Sequence, residues 1–202
     1  MAVIAWPYTD PAFGIAEFWF GIRSNVEVRT ARNFRISRSV LPGTRFVCRI
    51  VLIPSPEGPG GWQPRVEAFV MSLEGQTNSV LLHHMHRPIP AGTMRGNPTI
   101  SSLVPRGSRS MTIVGTSGET LAVGDVLGVP TDAGQQLVEL TGVSGTGTVA
   151  VTFAGPLAAP AQASGVIVWN RPESEFILTD AAVMVGYVAG EHPGVALEFV
   201  EI

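Results

Sequence analysis

The chain has 202 residues, of which 45% are hydrophobic and only 14% are charged. That composition excludes intrinsic disorder, which requires low hydrophobicity and high charge. No apolar run reaches the roughly 18 residues of a membrane-spanning helix, and the first residues lack the basic region of a signal peptide. The single cysteine, Cys48, excludes an intrachain disulfide and a cysteine-based metal site.

The charges are unevenly distributed along the chain. All 13 basic residues are arginine. Residues 1–110 carry 12 arginines and 6 acids, a net charge of +6, whereas residues 111–202 carry one arginine and 10 acids, a net charge of −9. Opposite charges of this kind can pair between copies of the chain, or between the two halves of one chain. The basic half is too mildly charged to predict nucleic-acid binding, which requires a concentrated Lys/Arg face.

The first 95 residues predict β-strands and one helix. Strands are indicated by period-2 alternation or by aromatic and β-branched residues, over residues 15–22, 26–30, 32–38, 44–53 and 79–84. The helix is predicted by an apolar stripe at helical spacing, formed by Trp62, Val66, Phe69, Val70 and Leu73. Pro64 suits its first turn and Gly75 its end. Residues 54–61, rich in glycine and proline, predict a loop before the helix.

The composition changes after a proline- and glycine-rich stretch at residues 88–97. Residues 96–168 contain one aromatic residue, Phe153, and short β-like runs that alternate with glycine turns. The runs cover residues 110–114, 125–129, 136–140, 148–153 and 165–169, which predicts a small barrel or a compact meander.

The C-terminal part returns to strands that contain aromatic residues. The pair Arg171-Pro172 marks the change, and strands are predicted at residues 175–178 and 195–201. In the last run Val195, Leu197, Phe199 and Glu201 share one face. We therefore predict a mainly β protein in which residues 1–95 and 171–202 form one domain and residues 96–170 an inserted β domain. Two successive domains without a return of the chain are the alternative.

Several segments, taken in their order, carry a resemblance to a known family. They read RSN at residues 23–25, LPGTRF at 41–46, LEGQTN at 73–78, RPIPAGTMRG at 87–96, LAVGDVLGV at 121–129, GPL at 155–157 and VWNRP at 168–172. In this order they resemble the distal tail (Dit-like) and minor tail proteins of long-tailed bacteriophages. The resemblance spans nearly the whole chain.

The resemblance implies a fold and a role. The fold is a tail-tube-like β-sandwich with one flanking helix and an outward β domain. The role is that of a structural virion protein at the tail tip, made in the host bacterial cytoplasm. It forms a hexameric ring that joins the tail tube to the baseplate or tip hub, and the genome passes through its lumen. Its partners are copies of itself, the tail tube protein, the tip hub protein and the tape-measure protein.

Some members of this family bind host carbohydrate through the outer domain. A carbohydrate- or receptor-binding module of the tail tip is therefore the alternative function. Residues 96–168 contain no tryptophan or tyrosine, so they lack the aromatic platform on which a sugar usually stacks.

An arginine cluster is the candidate functional feature. Seven arginines fall within 27 residues, at Arg23, Arg29, Arg32, Arg35, Arg38, Arg45 and Arg49. Their alternation along predicted strands indicates a basic face, which is either a solvated surface or a subunit interface. In the second case Arg29, Arg32, Arg35 and Arg38 meet acidic residues of a neighbouring subunit, for which Glu173, Glu175, Glu198 and Glu201 are the candidates. Such complementarity would set the register of a closed, head-to-tail ring.

The N-terminal aromatic residues are a second feature. Trp6, Phe13, Phe18, Trp19 and Phe20 crowd the first 20 residues, where a chain end usually frays. They predict either a core strand or a segment that docks on a neighbouring protein.

No pattern predicts catalysis, a cofactor or a metal site. The glycine-flanked Ser117 and Ser144 do not match the nucleophile motif G-x-S-x-G. His84 and His86 would share one face of a strand, but a closed zinc site needs more ligands, and His192 is about a hundred residues away. A hydrolase of cell-wall polymer would need Glu173 and Glu175 at a cleft. We expect a protein that is not an enzyme.

Overall fold

The computed structural model describes residues 2–7, 14–23, 26–30, 36–40, 45–52, 58–180 and 195–202, with the backbone alone for residues 23, 26–30, 36–40 and 58–63. The described residues confirm the predicted mainly β fold with one helix. The elements are β1 (Val3–Ala5), β2 (Ile15–Arg23), β3 (Val26–Thr30), β4 (Ile36–Val40), β5 (Arg45–Leu52), α1 (Gly58–Ser72), β6 (Ser79–His83), β7 (Thr99–Ile100), β8 (Ser110–Val114), β9 (Val126–Thr131), β10 (Gly134–Ser144), β11 (Thr148–Phe153), β12 (Glu173–Leu178) and β13 (Val195–Glu201).

The chain divides into two compact units. The first unit consists of Met1–Gly21, Phe46–Leu82 and Glu175–Ile202. The second consists of Ile22–Arg45 and His83–Ser174. Each unit is therefore assembled from segments that are distant in sequence.

A six-stranded sheet organises the first unit, in the order β1-β6-β12-β13-β5-β2. Strand β1 runs parallel to β6, whereas β13 runs antiparallel to both β12 and β5. The C-terminal strand thus lies between two strands from very different parts of the chain.

The predicted alternation of the two central strands is confirmed. On β13, Val195, Leu197 and Phe199 are buried, while Ala196 and Glu198 are exposed. On β5 the buried residues are Phe46, Cys48, Ile50 and Leu52. The alternation places one apolar face of the sheet in the core, because successive side chains of a strand point to opposite sides.

Helix α1 packs against this buried face. Val66, Phe69 and Leu73 of the predicted stripe are buried. The Phe69 ring meets the Trp6 ring edge-on at 5.2 Å, and Trp6 meets Phe199 of β13 at 6.2 Å. The stripe therefore contacts the sheet through Trp6.

The helix begins earlier than its sequence predicted. Residues 58–61, predicted as loop, form its first turn. Pro59 is compatible with this position, since the first N–H groups of a helix have no partner within it. Pro64 consequently lies inside the helix rather than in its first turn. The helix ends where Glu74 and Gly75 adopt positive φ angles of 47° and 65°.

A five-stranded antiparallel sheet, in the order β7-β8-β11-β10-β9, organises residues 99–153 of the second unit. The predictions for residues 110–114 and 148–153 match β8 and β11 residue for residue. The predicted strand at 165–169 instead bridges the two edges of this sheet, through the pairs Thr99–Val166 and Gly128–Val168. The small barrel closes in this way around buried apolar side chains that include Ile113, Leu127 and Val149.

Strands β3 and β4 form an antiparallel ribbon, from the pair Val26–Val40 to the pair Thr30–Ile36. Of the predicted strand at 32–38, residues 36–38 belong to β4, and residues 32–35 lie outside the described residues.

Candidate functional site

The predicted basic face falls largely outside the described side chains. Arg32 and Arg35 lie outside the described residues. Arg29 and Arg38 belong to β3 and β4, where Arg29 is opposite Ser37 and Arg38 is opposite Val28. The backbone register thus places these two arginines in adjacent pairs of the ribbon.

Glu201 belongs to the core of the first unit rather than to its surface. Only 5% of the residue is exposed, and its Oε2 accepts a hydrogen bond of 3.2 Å from the backbone N–H of Phe46. Its position on the apolar face of β13 was visible in the sequence alternation. That register was the signal that distinguished Glu201 from the other three acids.

Glu198 lies on the opposite, exposed face of β13. Its Oε1 is 3.6 Å from Nε of Arg49, and the two side chains are 61% and 49% exposed. The strands pair these two residues directly. An exposed ion pair of this kind contributes about 1 kcal/mol at most, so it can exchange partners at little cost.

Glu173 and Glu175 lie at alternate positions of β12. Oε2 of Glu175 accepts a hydrogen bond of 2.8 Å from Ser79 Oγ. Oε1 of Glu173 is 3.6 Å from Nδ1 of His83, and the Glu173 side chain is 37% exposed. Both carboxylates therefore have contacts with β6 within the chain.

The histidines occupy the end of β6 and the turn that follows. His83 ends the strand and His84 comes after it, both buried, whereas His86 is exposed in the turn. The predicted common strand face of His84 and His86 is wrong, because the chain leaves the sheet at His83. Among the described residues, no group of three or more histidine, cysteine or acidic side chains is placed to hold a metal ion.

The protonation of the two buried histidines is disfavoured. Burial, reinforced by the neighbouring Arg87, lowers the pKa of His84 to about 4. Burial also lowers the pKa of His83, although the carboxylate of Glu173 opposes this effect. Nδ1 of His84 accepts a hydrogen bond of 3.1 Å from the backbone N–H of Arg87.

The N-terminal aromatic residues have different environments. Trp6 belongs to the core, and Phe20 contacts Phe46 of β5 with 4.9 Å between ring centroids. Trp19 is 62% exposed on β2, an edge strand of the six-stranded sheet, and its Nε1 donates to Glu17 Oε2 at 3.3 Å. Phe13 lies outside the described residues. Period-2 alternation along the strand was a signal that could have separated Trp19 from Phe18 and Phe20, since it places Trp19 on the face of the polar Glu17.

A shallow groove of about 430 Å³ lies on the sheet of the second unit. It is lined by residues of β8, β10 and β11, of which Ser110, Thr112, Ser144 and Thr152 carry hydroxyl groups and Met111, Val143 and Val151 are apolar. The remaining lining residues are Gly142 and Ala150, and no charged or aromatic side chain is among them. A Cβ at Gly142 would lie 2.6 Å from Thr152 Oγ1.

The chain matches no protein-family model and no curated protein. Of the helical residues that the structure describes, none belongs to a helix of the length and hydropathy needed to cross a membrane. The fold, the exposed edge strand and the distribution of charges are therefore the basis for the function proposed below.

Proposed function

We propose that this chain is a structural subunit of a bacteriophage tail tip. It assembles head to tail with copies of itself into a ring, hexameric as in the family that the sequence resembles, and joins the tail tube to the baseplate or tip hub. The mainly β fold is compatible with this role, and the order of the sequence motifs supports it.

The edge strand β2 is the observation that carries the proposal. In the described part of the sheet, β2 has a partner strand, β5, on one side. It is nine residues long and exposes the indole of Trp19. A long edge strand with an exposed aromatic side chain favours pairing with another chain. The opposite edge of the same sheet is β1, whose Val3 is half exposed.

Two different edges of one sheet favour a head-to-tail arrangement. Contact between the β2 edge of one copy and the β1 edge of the next is heterologous, and such contacts form a ring when the rotation between successive copies divides a full turn evenly. Each subunit then extends the sheet of its neighbour.

Charge complementarity orients the subunits in this proposal. Arg29, Arg32, Arg35 and Arg38 of one copy meet Glu173, Glu175 and Glu198 of the next. Glu198 suits this role best, because it is exposed and its ion pair with Arg49 is weak. Glu201 plays no part, because it is buried in its own chain.

The remaining partners follow from the position at the tail tip. The ring contacts the tail tube protein on one side and the tip hub protein on the other, with the tape-measure protein in or near its lumen. The genome passes through the lumen without sequence-specific contacts. The subunit catalyses no reaction, and it is located in the virion.

The test is a pair of matched substitutions, made in the chain expressed together with the other tail proteins. Trp19→Glu places a charge on the β2 edge and should abolish ring and tail assembly, as measured by native mass spectrometry and electron microscopy. Met71→Glu, at a residue that is 70% exposed on α1, should leave assembly unchanged.

Arg32→Glu combined with Arg35→Glu tests the charge contacts. The double variant should assemble poorly, and added Glu198→Arg should restore part of the assembly. Intact rings with both the Trp19→Glu variant and the double variant would refute the proposal.

A carbohydrate- or receptor-binding module is the second candidate function. The uncharged groove of the second unit favours it, since the hydroxyl groups among its lining residues can hydrogen-bond a neutral glycan. A glycan array with the purified protein separates the two functions. Binding of one glycan that is lost on Ala150→Phe, which fills the groove, but kept on Ala158→Phe, which lies outside it, would favour adhesion. Silence across the array favours the structural role.

A further inference from the structure

A histidine closes the turn that leaves β6. The backbone N–H of Arg87 donates to both Nδ1 and the carbonyl oxygen of His84, each at 3.1 Å. The Arg87 side chain then anchors this turn, since its Nη1 donates to the carbonyl of Gly124 at 2.7 Å and lies 3.2 Å from Glu139 Oε1. The turn stands near the start of the segment His83–Ser174 of the second unit.

The hydrogen bond at Nδ1 requires a neutral imidazole. A ring nitrogen accepts a hydrogen bond only when it carries no proton, and both nitrogens of a charged histidine are donors. Protonation of His84 therefore turns Nδ1 into a donor. It then faces the backbone N–H of Arg87, which is also a donor, and the hydrogen bond is lost. Protonation also creates a positive charge inside a buried site, where His84 is 5% exposed.

The neighbouring groups increase the cost of that charge. The charged and titratable groups that face His84 are Arg87, His86 and His83. His83 in turn faces Glu173 and Arg171. Among these groups, the carboxylate of Glu173 lies beside His83, and the positive charge of Arg87 disfavours protonation of His84.

We propose that His84 is a proton-operated latch, which holds the turn at residues 84–87 closed while it is neutral and opens that turn locally when it is protonated. The barrel stays folded during this opening, because its core cluster consists of apolar side chains that do not titrate. Mild acid thus loosens the turn at residues 84–87 without unfolding the barrel. This inference does not depend on the proposed tail function.

The expected size of the effect follows from proton linkage. In the open turn, His84 recovers its ordinary pKa of 6.5, whereas in the closed turn the pKa is about 4. The lowered pKa means that the closed turn is fully favoured above pH 6.5 and loses its advantage as the pH falls toward 4. The opening equilibrium constant should rise roughly tenfold between pH 7 and pH 5.5, and about 100-fold between pH 7 and pH 4.

Amide hydrogen exchange, followed by NMR and corrected for the intrinsic effect of pH, tests the latch. In the unmodified protein, the Arg87 amide should lose about 100-fold in protection between pH 7 and pH 4. The amides of Ile113 and Val149, which pair in the barrel, should keep theirs.

Two substitutions separate the latch from its surroundings. His84→Asn supplies a side-chain oxygen that can accept the same N–H and does not titrate, so Arg87 should stay protected down to pH 4. His86→Asn removes the exposed neighbouring histidine and should leave the acid loss of protection in place.

Three results would overturn the latch. The first is constant protection of Arg87 while the ring signals of His84 report its protonation. The second is loss of protection in the barrel together with Arg87, which means global unfolding. The third is disappearance of the acid response in His86→Asn. If His84→Asn does not fold, the comparison of Arg87 with Ile113 in the unmodified protein still decides.

Discussion

The carboxylate of Glu201 and the backbone N–H of Phe46 form a buried hydrogen bond of 3.2 Å across 155 residues of sequence. The bond joins the last strand to β5 at the end of the core face. An unpaired buried N–H group costs free energy comparable to a lost hydrogen bond, so this carboxylate stabilises the fold by accepting from a buried N–H group of β5.

Removal of this carboxylate should destabilise the first unit. We expect Glu201→Ala to lower the free energy of unfolding by about 1–3 kcal/mol, because the Phe46 N–H then remains buried without this acceptor. Urea denaturation followed by tryptophan fluorescence measures the change. Glu198→Ala, which removes an exposed ion pair from the same strand, should change the value by less than about 1 kcal/mol. Equal losses in the two variants would contradict the assignment.

Gly92 should not tolerate a side chain. A Cβ at this position would lie 2.5 Å from Leu121 Cα and from the carbonyl oxygen of Thr120. Because both atoms belong to the backbone, the chain must shift, and we expect Gly92→Ala to cost about 1–3 kcal/mol. Thermal and urea unfolding measure this loss.

Gly21→Ala is the matched control for Gly92→Ala. A Cβ at Gly21 meets no atom within 4 Å, and this glycine has no left-handed φ angle. The control should unfold within about 0.5 kcal/mol of the unmodified protein. A stable Gly92→Ala variant would show that residues 91–93 do not pack as described.

Asp125 should be sensitive to loss of its charge alone. Its buried carboxylate accepts the backbone N–H groups of Ala91 at 2.7 Å, Gly92 at 3.3 Å and Ala122 at 2.7 Å. Asp125→Asn replaces one accepting oxygen by an amide donor, which opposes at least one of these N–H groups. We expect a loss of about 2 kcal/mol in the free energy of unfolding of the second unit.

The exposed Asp132 provides the comparison for Asp125. Asp132→Asn removes the same charge at a site where the carboxylate accepts from the exposed Gln162 side chain. Its effect should stay within about 0.5 kcal/mol. If the two variants unfold alike, the three backbone hydrogen bonds of Asp125 do not contribute as stated.

Cys48 should be chemically inert in the native protein. Burial raises the pKa of its thiol to about 12, and the thiolate is the reactive form. A disulfide reagent at pH 8 should label the protein only at the rate of unfolding, and at once in concentrated urea. Rapid labelling without denaturant would contradict the burial of this side chain.

The raised pKa of Cys48 also predicts a pH dependence of stability. The unfolded thiol ionises near pH 9 whereas the native thiol does not. The stabilising contribution is therefore fully present below pH 9 and is lost as the pH rises toward 12. Cys48→Val should remove this component of the alkaline loss, as measured by urea unfolding at pH 8 and pH 10.

Sequence patterns correctly predicted those elements whose structure depends on residues that are close together in the sequence. The strands at residues 110–114 and 148–153 were predicted with their observed bounds, since one alternating face is buried in each. The start of α1 was not, because residues 58–61 are glycine and proline, and these residue types favour loops. The end of β6 was also missed, since the turn at His84 depends on a hydrogen bond and on burial rather than on a turn motif.

In the candidate interface, too, the sequence predicts the face on which a residue lies, whereas the fold determines which residue it contacts. Alternation along β13 by itself predicts that Glu201 lies on the apolar face and Glu198 on the other face. That Arg49 is the partner of Glu198 follows from the pairing of β5 with β13. No spacing rule relates two strands that are about 150 residues apart.

Residue patterns were sufficient to predict the mainly β class, the apolar stripe of the helix and the two faces of the central strands. Periodicity is a local property, because each side chain's direction depends on the backbone of its own strand or helix. Only the tertiary structure reveals that Trp6 packs against Phe69 and Phe199, that residues 165–168 close the barrel, and that His84 accepts the Arg87 amide in a buried turn. The burial of a side chain depends on segments that the fold brings together from distant parts of the chain. The residues next to it in sequence therefore do not determine its packing environment.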